Sequence, residues 1–477
     1  MKNIKYNLVL IFLSTLFLSG CAHIELEENP PSLLSPDSFF TSESEFQAAL
    51  TGTFRPLYQG WEGFDYAHPL IMTSGGEDVK SLAGIFLNLD RLSPNDADLN
   101  IQLVWKRLYR TIGNANVIIG NLKNAKDIPT DKLNAIEGQA KFIRAFCYFY
   151  LVRWFGEVQL TTSENQADIE NLKQSSVADI YASIIENLKD AEVKLPVSFP
   201  EKGRPTQGAA KALLAKVYIT MAGWPIEDAS YYPLARDKAK EVIDAGTYDL
   251  EPNFADLWKQ ENRLTNKEFI FAFYGSIEVD GTSASHMHTA SRHGKDGGWG
   301  DFHSEDRFFD AFPDGPRKDA SFTTVFSDGS TYKEAGVEPF IAKYRDAGET
   351  ILDDLAGEGF NVMLRYADVL LMYAEAANMA EGSPSVLAYD AINKVRFRAG
   401  LANLPLGMSQ NDFDDAVLAE RNWELAFEMN RWFDLVRKKK VVEVNQTLHP
   451  GVTENNRLLP KPGTELIPGI LDQNPGY

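Results

Sequence analysis

Three glutamates lie one helical turn apart in the stretch ERNWELAFE, residues 420 to 428. Glu420, Glu424 and Glu428 would share one face of a helix, and Arg431 follows at a spacing that allows an ion pair with Glu428. Glycosidases use paired carboxylates for acid and base chemistry, so this spacing raises the question of catalysis. Charge ladders of this kind are usually solvated helix faces or braces between helices. We therefore interpret the three glutamates as structural and assign no catalytic residue.

Two glycine-containing stretches, residues 58–70 and 281–306, combine aromatic rings with short polar groups. A sugar presents flat apolar faces and a rim of hydroxyl groups, so its site needs exposed rings beside hydrogen-bonding side chains. Trp299 stands among glycines that offer it little local core, which favours exposure, whereas the rings of the first stretch could also cap the neighbouring core. The candidate ligand-binding residues are Trp61, Tyr66, His68, His288 and Trp299.

The second stretch also contains four of the seven histidines, which suggests a metal site. They are His286, His288, His293 and His303. A protein metal site needs three or four ligands that rigid elements hold together, and this stretch is rich in glycine and contains no cysteine. We therefore predict no metal ion and no other cofactor. We expect these histidines to hydrogen-bond a ligand or to lie in a solvated loop.

Amphipathic helices dominate the elements that must position these residues. In the first helix, Ser42 and Glu45 form a capping box ahead of apolar residues at helical spacing. Two more helices are predicted from about residue 101 to 122 and from the cap Asp131 to about residue 150. The apolar context of Cys147 in the third helix indicates a buried structural thiol. The sequence therefore predicts a mainly α-helical protein.

Two later segments, residues 215–246 and 371–400, share a layout of helix, break and second helix. Tyr218 precedes Ala245 by 27 residues, and Tyr373 precedes Ala399 by 26. Small residues let paired helices approach while an aromatic ring fills the space between pairs, so this layout is typical of stacked tetratricopeptide-like repeats. We predict a superhelical scaffold of such helix pairs.

Strand signals are sparse, and the best candidate strand is residues 269–274. The region that follows, from about 275 to 301, has no periodicity. An irregular run of that length in a compact domain is usually either functional or disordered. Proline punctuates the closing residues 455–477, which we expect to be extended and to pack over the helices.

The first residues have the features of a secretion signal followed by a lipid-attachment site. A positively charged start precedes the apolar run at residues 8–18, which is too short to span a bilayer. The sequence LSGC at residues 18–21 resembles the bacterial lipobox, in which the cysteine is lipidated and becomes the first residue. We predict lipidation of Cys21; an ordinary cleaved signal is the alternative.

The overall charge of the chain restricts its partners. The 477 residues carry a formal net charge of -20 at pH 7. Nucleic acid and anionic membrane surfaces repel a chain of this charge, so neither is an expected partner. Hydrophobic residues make up 44% of the sequence, which is enough to bury a large core.

Six stretches spread over the whole length resemble the SusD family, also called the SusD/RagB family, of surface lipoproteins that capture nutrients for an outer-membrane importer. They are the lipobox at Cys21, residues 137–160, 203–223, 365–378 and 419–440, and the closing QNPGY at 473–477. Their combination in this order makes the resemblance specific. It implies an α-helical fold of four tetratricopeptide-like helix pairs, with little β structure and an irregular part that carries much of the ligand surface.

The resemblance also implies a function. It predicts a non-enzymatic lipoprotein on the outer-membrane surface that binds an oligosaccharide and delivers it to a SusC-like, TonB-dependent transporter. In the family, glycan-stacking rings come from a loop after the first helix and from the later irregular region, which Trp61 or Tyr66 and Trp299 match by position only. The alternatives are capture of a peptide or other nutrient by the same mechanism, a glycoside hydrolase, and a protein-binding repeat scaffold.

The resemblance further divides the chain into three parts. A signal peptide covers residues 1–20, a lipidated tether residues 21–41, and a SusD-like domain residues 42–477. The expected parts of that domain are a helical scaffold at about 42–260 and 360–440, an irregular ligand-binding region at about 58–98 and 275–360, and an extended C-terminal segment at 441–477.

Overall fold

Helices form most of the structure, a computed structural model that describes residues 39–58, 64, 67–278, 284–292, 297–346, 350–351 and 356–477. Residues from Phe40 onward cluster into one compact unit. In chain order, the α-helices are α1 Glu43–Tyr58, α2 Ala67–Ile71, α3 Leu87–Asp90, α4 Leu99–Asn121, α5 Thr130–Phe155, α6 Val177–Lys194, α7 Gln207–Met221, α8 Tyr231–Asp244, α9 Ala284–Thr289, α10 Asp306–Ala311, α11 Pro316–Ser321, α12 Tyr332–Ala335, α13 Tyr366–Glu381, α14 Val386–Arg398, α15 Gln410–Glu424, α16 Arg431–Arg437 and α17 Val441–Asn445. Among the described residues, no helix combines the length and hydropathy that a membrane span requires.

The long helices pack as successive neighbours and confirm the predicted scaffold of helix pairs. Each contacts the next in the order α1, α4, α5, α6, α7, α8, α13 and α14, and α15 packs against α13. Several of them begin at a serine or threonine whose side chain accepts a backbone amide of the first turn, as Ser176 does for α6 and Thr206 for α7. The third predicted helix begins at Thr130, so Asp131 lies in its first turn rather than at the cap. Cys147 is fully buried, as predicted.

The described residues also contain ten short strands. They are β1 Val79–Ser81, β2 Val158–Gln159, β3 Gln174–Ser175, β4 Phe269–Tyr274, β5 Phe302–Ser304, β6 Phe322–Thr323, β7 Phe340–Ile341, β8 Thr350–Ile351, β9 Ala356–Gly357 and β10 Phe360–Arg365. The predicted strand at 269–274 is confirmed as β4, and it pairs antiparallel with β10. A four-stranded sheet in the order β1-β5-β7-β6 lies largely within the region predicted to be irregular.

The C-terminal segment contains more helix than expected. After α17, short 3-10 turns form at Glu454–Arg457 and Gly463–Glu465. Between these turns the chain is extended and packs on the scaffold, where the amide of Leu459 donates to the carbonyl of Trp154 at 2.7 Å. The chain between the two turns is therefore extended over the helices, as expected, whereas the turns themselves are not extended.

Residues 420–431 do not form the single helix that the spacing of their glutamates predicts. The chain breaks between α15 and α16, where Phe427 has a φ of +65°. At the end of α15, the Lys343 ammonium group donates to the carbonyl of Glu424 at 3.0 Å, and the Phe427 amide donates to the Asp78 carboxylate at 2.7 Å. These charged groups satisfy backbone atoms that a helix would otherwise pair internally, so the helix can end there.

The three glutamates of this stretch belong to a buried ion network, as the interpretation of braces between helices predicts. Its members include Glu268, Arg317, Lys343, Arg365, Arg398, Glu420, Glu424 and Glu428. The predicted pair of Glu428 with Arg431 is wrong, because Glu428 lies 2.7 Å from both Lys343 and Arg365. Arg431 pairs instead with Glu77 at 2.5 Å.

A second buried network joins α7, α13, α15 and α16. The Asp368 carboxylate lies 2.9 Å from the Lys216 ammonium and 2.8 Å from the Arg421 guanidinium. Glu375 pairs with Arg437 and lies 2.9 Å from Lys438. These pairs link helices that are distant in sequence, so the scaffold is held by charge as well as by apolar packing.

Acid is expected to unfold the protein because of these networks. Burial alone would raise the pKa of Asp368, but Lys216 and Arg421 outweigh it and hold the pKa well below its usual value. Burial is outweighed in the same way at Glu375 and Glu424, whose basic partners lower the pKa of each. The stabilising contribution of such carboxyls is complete above their unfolded pKa of about 4 and is lost as the pH falls through the lower folded values.

Urea titrations at several pH values test this expectation. The free energy of unfolding should fall steeply below about pH 4. Asp78 acts in the opposite direction, because burial raises its pKa to about 6 and its charging opposes folding as the pH rises through that value. A free energy of unfolding that stays constant down to about pH 2.5 would contradict the role of the networks.

Candidate functional site

The Trp299 segment, residues 297–301, is hydrogen-bonded to residues 287–291. The amides of Gly298, Trp299, Gly300 and Asp301 donate to the carbonyls of Ser291, Met287, Ala290 and His288 at 3.0, 2.6, 3.0 and 3.0 Å. Gly298 permits this approach, because a Cβ atom there would lie 2.0 Å from the carbonyl oxygen of Ala290. The lack of a side chain at Gly298 therefore allows the Trp299 segment to be held against residues 287–291.

The Trp299 ring is half-buried and rests on His288. The two ring centroids are 4.6 Å apart, with planes at 79°. The Nδ1 atom of His288 lies 2.6 Å from one carboxylate oxygen of Asp301, whose other oxygen accepts from Arg292 at 3.0 Å. We call His288, Asp301 and Arg292, with the ring of Trp299, the Trp299 platform.

The charges of the platform follow from its burial. Burial lowers the pKa of His288, although the neighbouring Asp301 favours the charged imidazole. Burial alone would raise the pKa of Asp301, but His288 and Arg292 outweigh it and hold the pKa below its usual value. The imidazole is therefore neutral at pH 7 and donates its Nδ1 proton to an ionised Asp301.

His288 does not take the exposed position that a ligand-binding residue needs. Only 1% of it is exposed, and its ring contacts Phe86 and Phe302 at centroid distances of 5.8 and 5.7 Å. The sequence suggested exposure because the surrounding residues are small and polar. The side chain lies beneath the Trp299 ring, so its role is to position that ring.

Most of the first predicted stretch lies outside the described residues. Trp61, Tyr66 and the side chain of His68 are among the parts left undescribed, as is Cys21. Phe64, the third ring of that stretch, is 3% exposed and packs 4.8 Å from Tyr150. The helix α2, which carries the backbone of His68, contacts α9, which carries His288. The chain that follows Tyr66 therefore approaches the Trp299 platform.

The histidines of the second stretch do not gather around one point in the described structure. His303 is 5% exposed, its ring lies 4.3 Å from Phe340, and its Nδ1 atom lies 3.9 Å from Glu338. The side chains of His286 and His293 lie outside the described residues. Within the described ranges, no three His, Cys, Asp or Glu side chains converge where a metal ion could bind.

A groove of about 730 Å³ opens between the second half of α1, strand β4 and the loop at residues 202–204. The Tyr58 ring in its wall stacks on Phe273, with centroids 5.7 Å apart and planes at 15°. The two predicted stretches adjoin this groove in sequence, because Tyr58 is the first residue of 58–70 and Glu278 lies just before 281–306. The sequence gives no sign of this groove, since its lining residues come from distant segments without a shared local pattern.

Comparisons with known proteins show similarity to one family. The model described as "SusD family" matches residues 327–461, and the model described as "Starch-binding associating with outer membrane" matches residues 35–219. The SusD-like protein P2 of Formosa agariphila is 29% identical over 100% of both chains. These matches support a SusD-like protein. The resemblance found in the sequence is thus confirmed, and the second family description places this group in association with the outer membrane.

Solved structures of SusD-like proteins share the fold of this chain. A SusD superfamily protein from Parabacteroides distasonis is 26% identical with a TM-score of 0.81, and the alignment covers 91% of this chain and 99% of that one. A laminarin-binding SusD-like protein and the surface glycan-binding protein A of Bacteroides fluxus are each 24% identical with a TM-score of 0.77, over 92% of this chain and 100% of theirs. These similarities support the mainly α-helical repeat fold.

Proposed function

We propose that this SusD-family protein is a non-enzymatic glycan-binding lipoprotein that captures an oligosaccharide and delivers it to a SusC-like, TonB-dependent transporter. The observation that carries the proposal is the half-exposed Trp299 ring, which His288 and Asp301 hold in a fixed orientation. A ring that is already ordered loses little entropy when it binds, so it can stack on a sugar face with little opposing cost. The names of two relatives, one laminarin-binding and one glycan-binding, support a glycan as ligand.

Binding would combine stacking with hydrogen bonds and would make or break no covalent bond. Trp61 and Tyr66 remain the proposed partner rings, and His68 remains a proposed hydrogen-bonding group. The contact between α2 and α9 supports this grouping, because it brings the chain beside Tyr66 towards Trp299. The described acidic residues that suggested hydrolysis, Glu420, Glu424 and Glu428, are buried and paired with basic groups.

The position at the membrane follows from the N-terminal sequence and the family. Lipid on Cys21 would anchor the protein to the outer membrane, and residues 22–41 would tether the domain to it. The association of the family with the outer membrane supports this arrangement. A bound sugar must then pass into the transporter, so the domain would act as a lid whose movement releases the ligand. Loss of fatty-acid labelling in a Cys21→Ser variant would test the anchor.

Replacing Trp299 with alanine should weaken glycan binding by about thirtyfold or more, the loss expected for a central aromatic anchor. The protein is residues 22–477, the ligand is the strongest oligosaccharide found on a glycan array, and the measurement is isothermal titration calorimetry. Thermal unfolding should be nearly unchanged, because the Trp299 ring is half-exposed.

Trp423→Ala is the matched control, since Trp423 is another half-buried tryptophan and lies on the scaffold helix α15. It should leave the affinity unchanged. Equal affinity of the wild-type protein and Trp299→Ala would contradict the proposed site. Binding of peptides alone would favour the nutrient-capture alternative, release of new reducing ends would indicate a hydrolase, and binding of neither sugar nor peptide would favour a scaffold.

A further inference from the structure

The groove between α1 and β4 concentrates positive charge on a strongly acidic chain. Among the described residues of its lining, Arg55, Lys202 and Arg204 are basic and Glu278 is acidic. The whole chain has a formal charge of -20, so basic groups here do not reflect the general composition. Charges beyond about 8–10 Å are largely screened at physiological ionic strength, which means that this local group decides what the groove attracts.

The basic side chains are available for a ligand. Arg55 and Lys202 are exposed, and neither forms a hydrogen bond or ion pair with any described part of the chain. Arg204 is held in place by a hydrogen bond to Gln47 at 2.6 Å and lies 3.4 Å from Glu201. One fixed guanidinium and two cations without an ion-pair partner among the described residues thus line the same groove.

Aromatic rings form the apolar part of the groove. Tyr58 and Phe273 are stacked and nearly buried, and Tyr274 also lines the groove, beside Gly203. Sugar rings need such flat apolar surfaces, whereas an inorganic anion does not. The lining therefore fits a ligand that has both a ring and a negative charge.

We propose that this groove binds the negatively charged substituent of an acidic oligosaccharide, either a sulfate ester or a uronate carboxylate. The inference rests on the proposed glycan-binding function and specifies its substrate class. Guanidinium and ammonium groups form charge-assisted hydrogen bonds to both substituents, and Arg55 and Arg204 can each present two parallel donors. A neutral sugar would supply no counter-charge to these cations.

Oligosaccharide binding by a charge-removing variant tests the inference. In Arg55→Gln/Lys202→Gln, the affinity for sulfated or uronate oligosaccharides should fall by about tenfold to a hundredfold, as expected for lost hydrogen bonds to charged groups. Affinity for neutral oligosaccharides should stay the same. Removing the opposing carboxylate with Glu278→Gln should strengthen binding of the acidic probes.

A second double variant, Arg110→Gln/Lys189→Gln, controls for net charge. Both of its residues are exposed and lie outside the lining of the groove, so it should bind like the wild-type protein. The probes are array oligosaccharides in three groups, neutral, sulfated and uronate, together with an oligoglutamate peptide. Comparison of the sulfated and uronate groups identifies which substituent the groove takes.

The outcomes separate the two proposals. A wild-type preference for acidic over neutral sugars that disappears only in the groove variant supports the inference. Binding of neutral sugars without that preference overturns the inference and leaves the glycan-binding function intact. Binding of oligoglutamate as tight as that of the acidic sugars overturns the assignment to a saccharide. If no sugar binds, both the function and the inference fail.

Discussion

Replacing Glu424 with alanine is expected to lower the free energy of unfolding by about 3–5 kcal/mol, the range seen when one partner of a buried ion pair is removed. The Glu424 carboxylate contacts the guanidinium groups of three arginines that are at most 3% exposed, namely Arg317, Arg365 and Arg398. Without it, only Glu268, Glu420 and Glu428 remain in this network to balance the charge of the three arginines and Lys343. Urea unfolding at pH 7, followed by circular dichroism, measures the loss.

One further variant separates the effect of charge from that of side-chain volume, and another is a control at an exposed glutamate. Glu424→Gln keeps the size of the side chain and removes its charge, so it should lose nearly as much stability as Glu424→Ala. Glu186→Gln changes a glutamate that is exposed on α6 and should alter the free energy of unfolding by less than about 0.5 kcal/mol. A loss below about 1 kcal/mol for both Glu424 variants would mean that the network contributes little to the folded state.

The network shows which part of the fold the sequence could predict. Spacing along the chain correctly placed Glu420, Glu424 and Glu428 among structural residues, because a turn of helix brings such groups to one side. It could not supply their partners, since Arg317 and Arg365 are separated from Glu424 by 107 and 59 residues. It also paired Glu428 with Arg431, because the break between α15 and α16 depends on Lys343 and Asp78, which are distant in sequence.

Hydrophobic periodicity in the sequence predicts the helices of this protein better than its strands. Long helices such as α4 and α5 repeat their apolar residues over several turns, so the sequence predicted them within a few residues. The strand β10 is buried along its whole length and runs directly into α13, which leaves no alternation to distinguish it from a helix. The sheet β1-β5-β7-β6 has strands of two or three residues, too short to show any period.

The candidate site shows the same limit at the level of side chains. The glycines around Trp299 favoured exposure of its ring, which the structure shows half-buried against the core. The sequence could not show that His288 is buried, because its cover comes from Phe86 and Phe302. The groove between α1 and β4 could not be predicted, because Arg55 and Lys202 are far apart in sequence and only the folded chain brings them to one groove.

Replacing Gly298 with alanine is expected to detach the Trp299 segment while the rest of the domain stays folded. The added Cβ would lie 2.0 Å from the carbonyl oxygen and 2.3 Å from the carbonyl carbon of Ala290, and backbone atoms cannot move aside as a flexible side chain could. The segment must therefore shift, which breaks hydrogen bonds made by the amides of Gly298, Trp299, Gly300 and Asp301. Hydrogen–deuterium exchange should show protection reduced by about tenfold or more at these amides, since each bond contributes about 1 kcal/mol.

Gly113→Ala is the matched control, because nothing lies within 4 Å of a Cβ atom at this position in α4. It should leave exchange at residues 297–301 unchanged and raise the free energy of unfolding by about 0.5–1 kcal/mol, the usual difference between glycine and alanine within a helix. If Gly298→Ala removes amide protection and glycan binding together, the orientation of the Trp299 ring is what the ligand requires. If protection is lost while binding persists, sugar recognition does not depend on the platform, and Trp299 is not the ring that carries it.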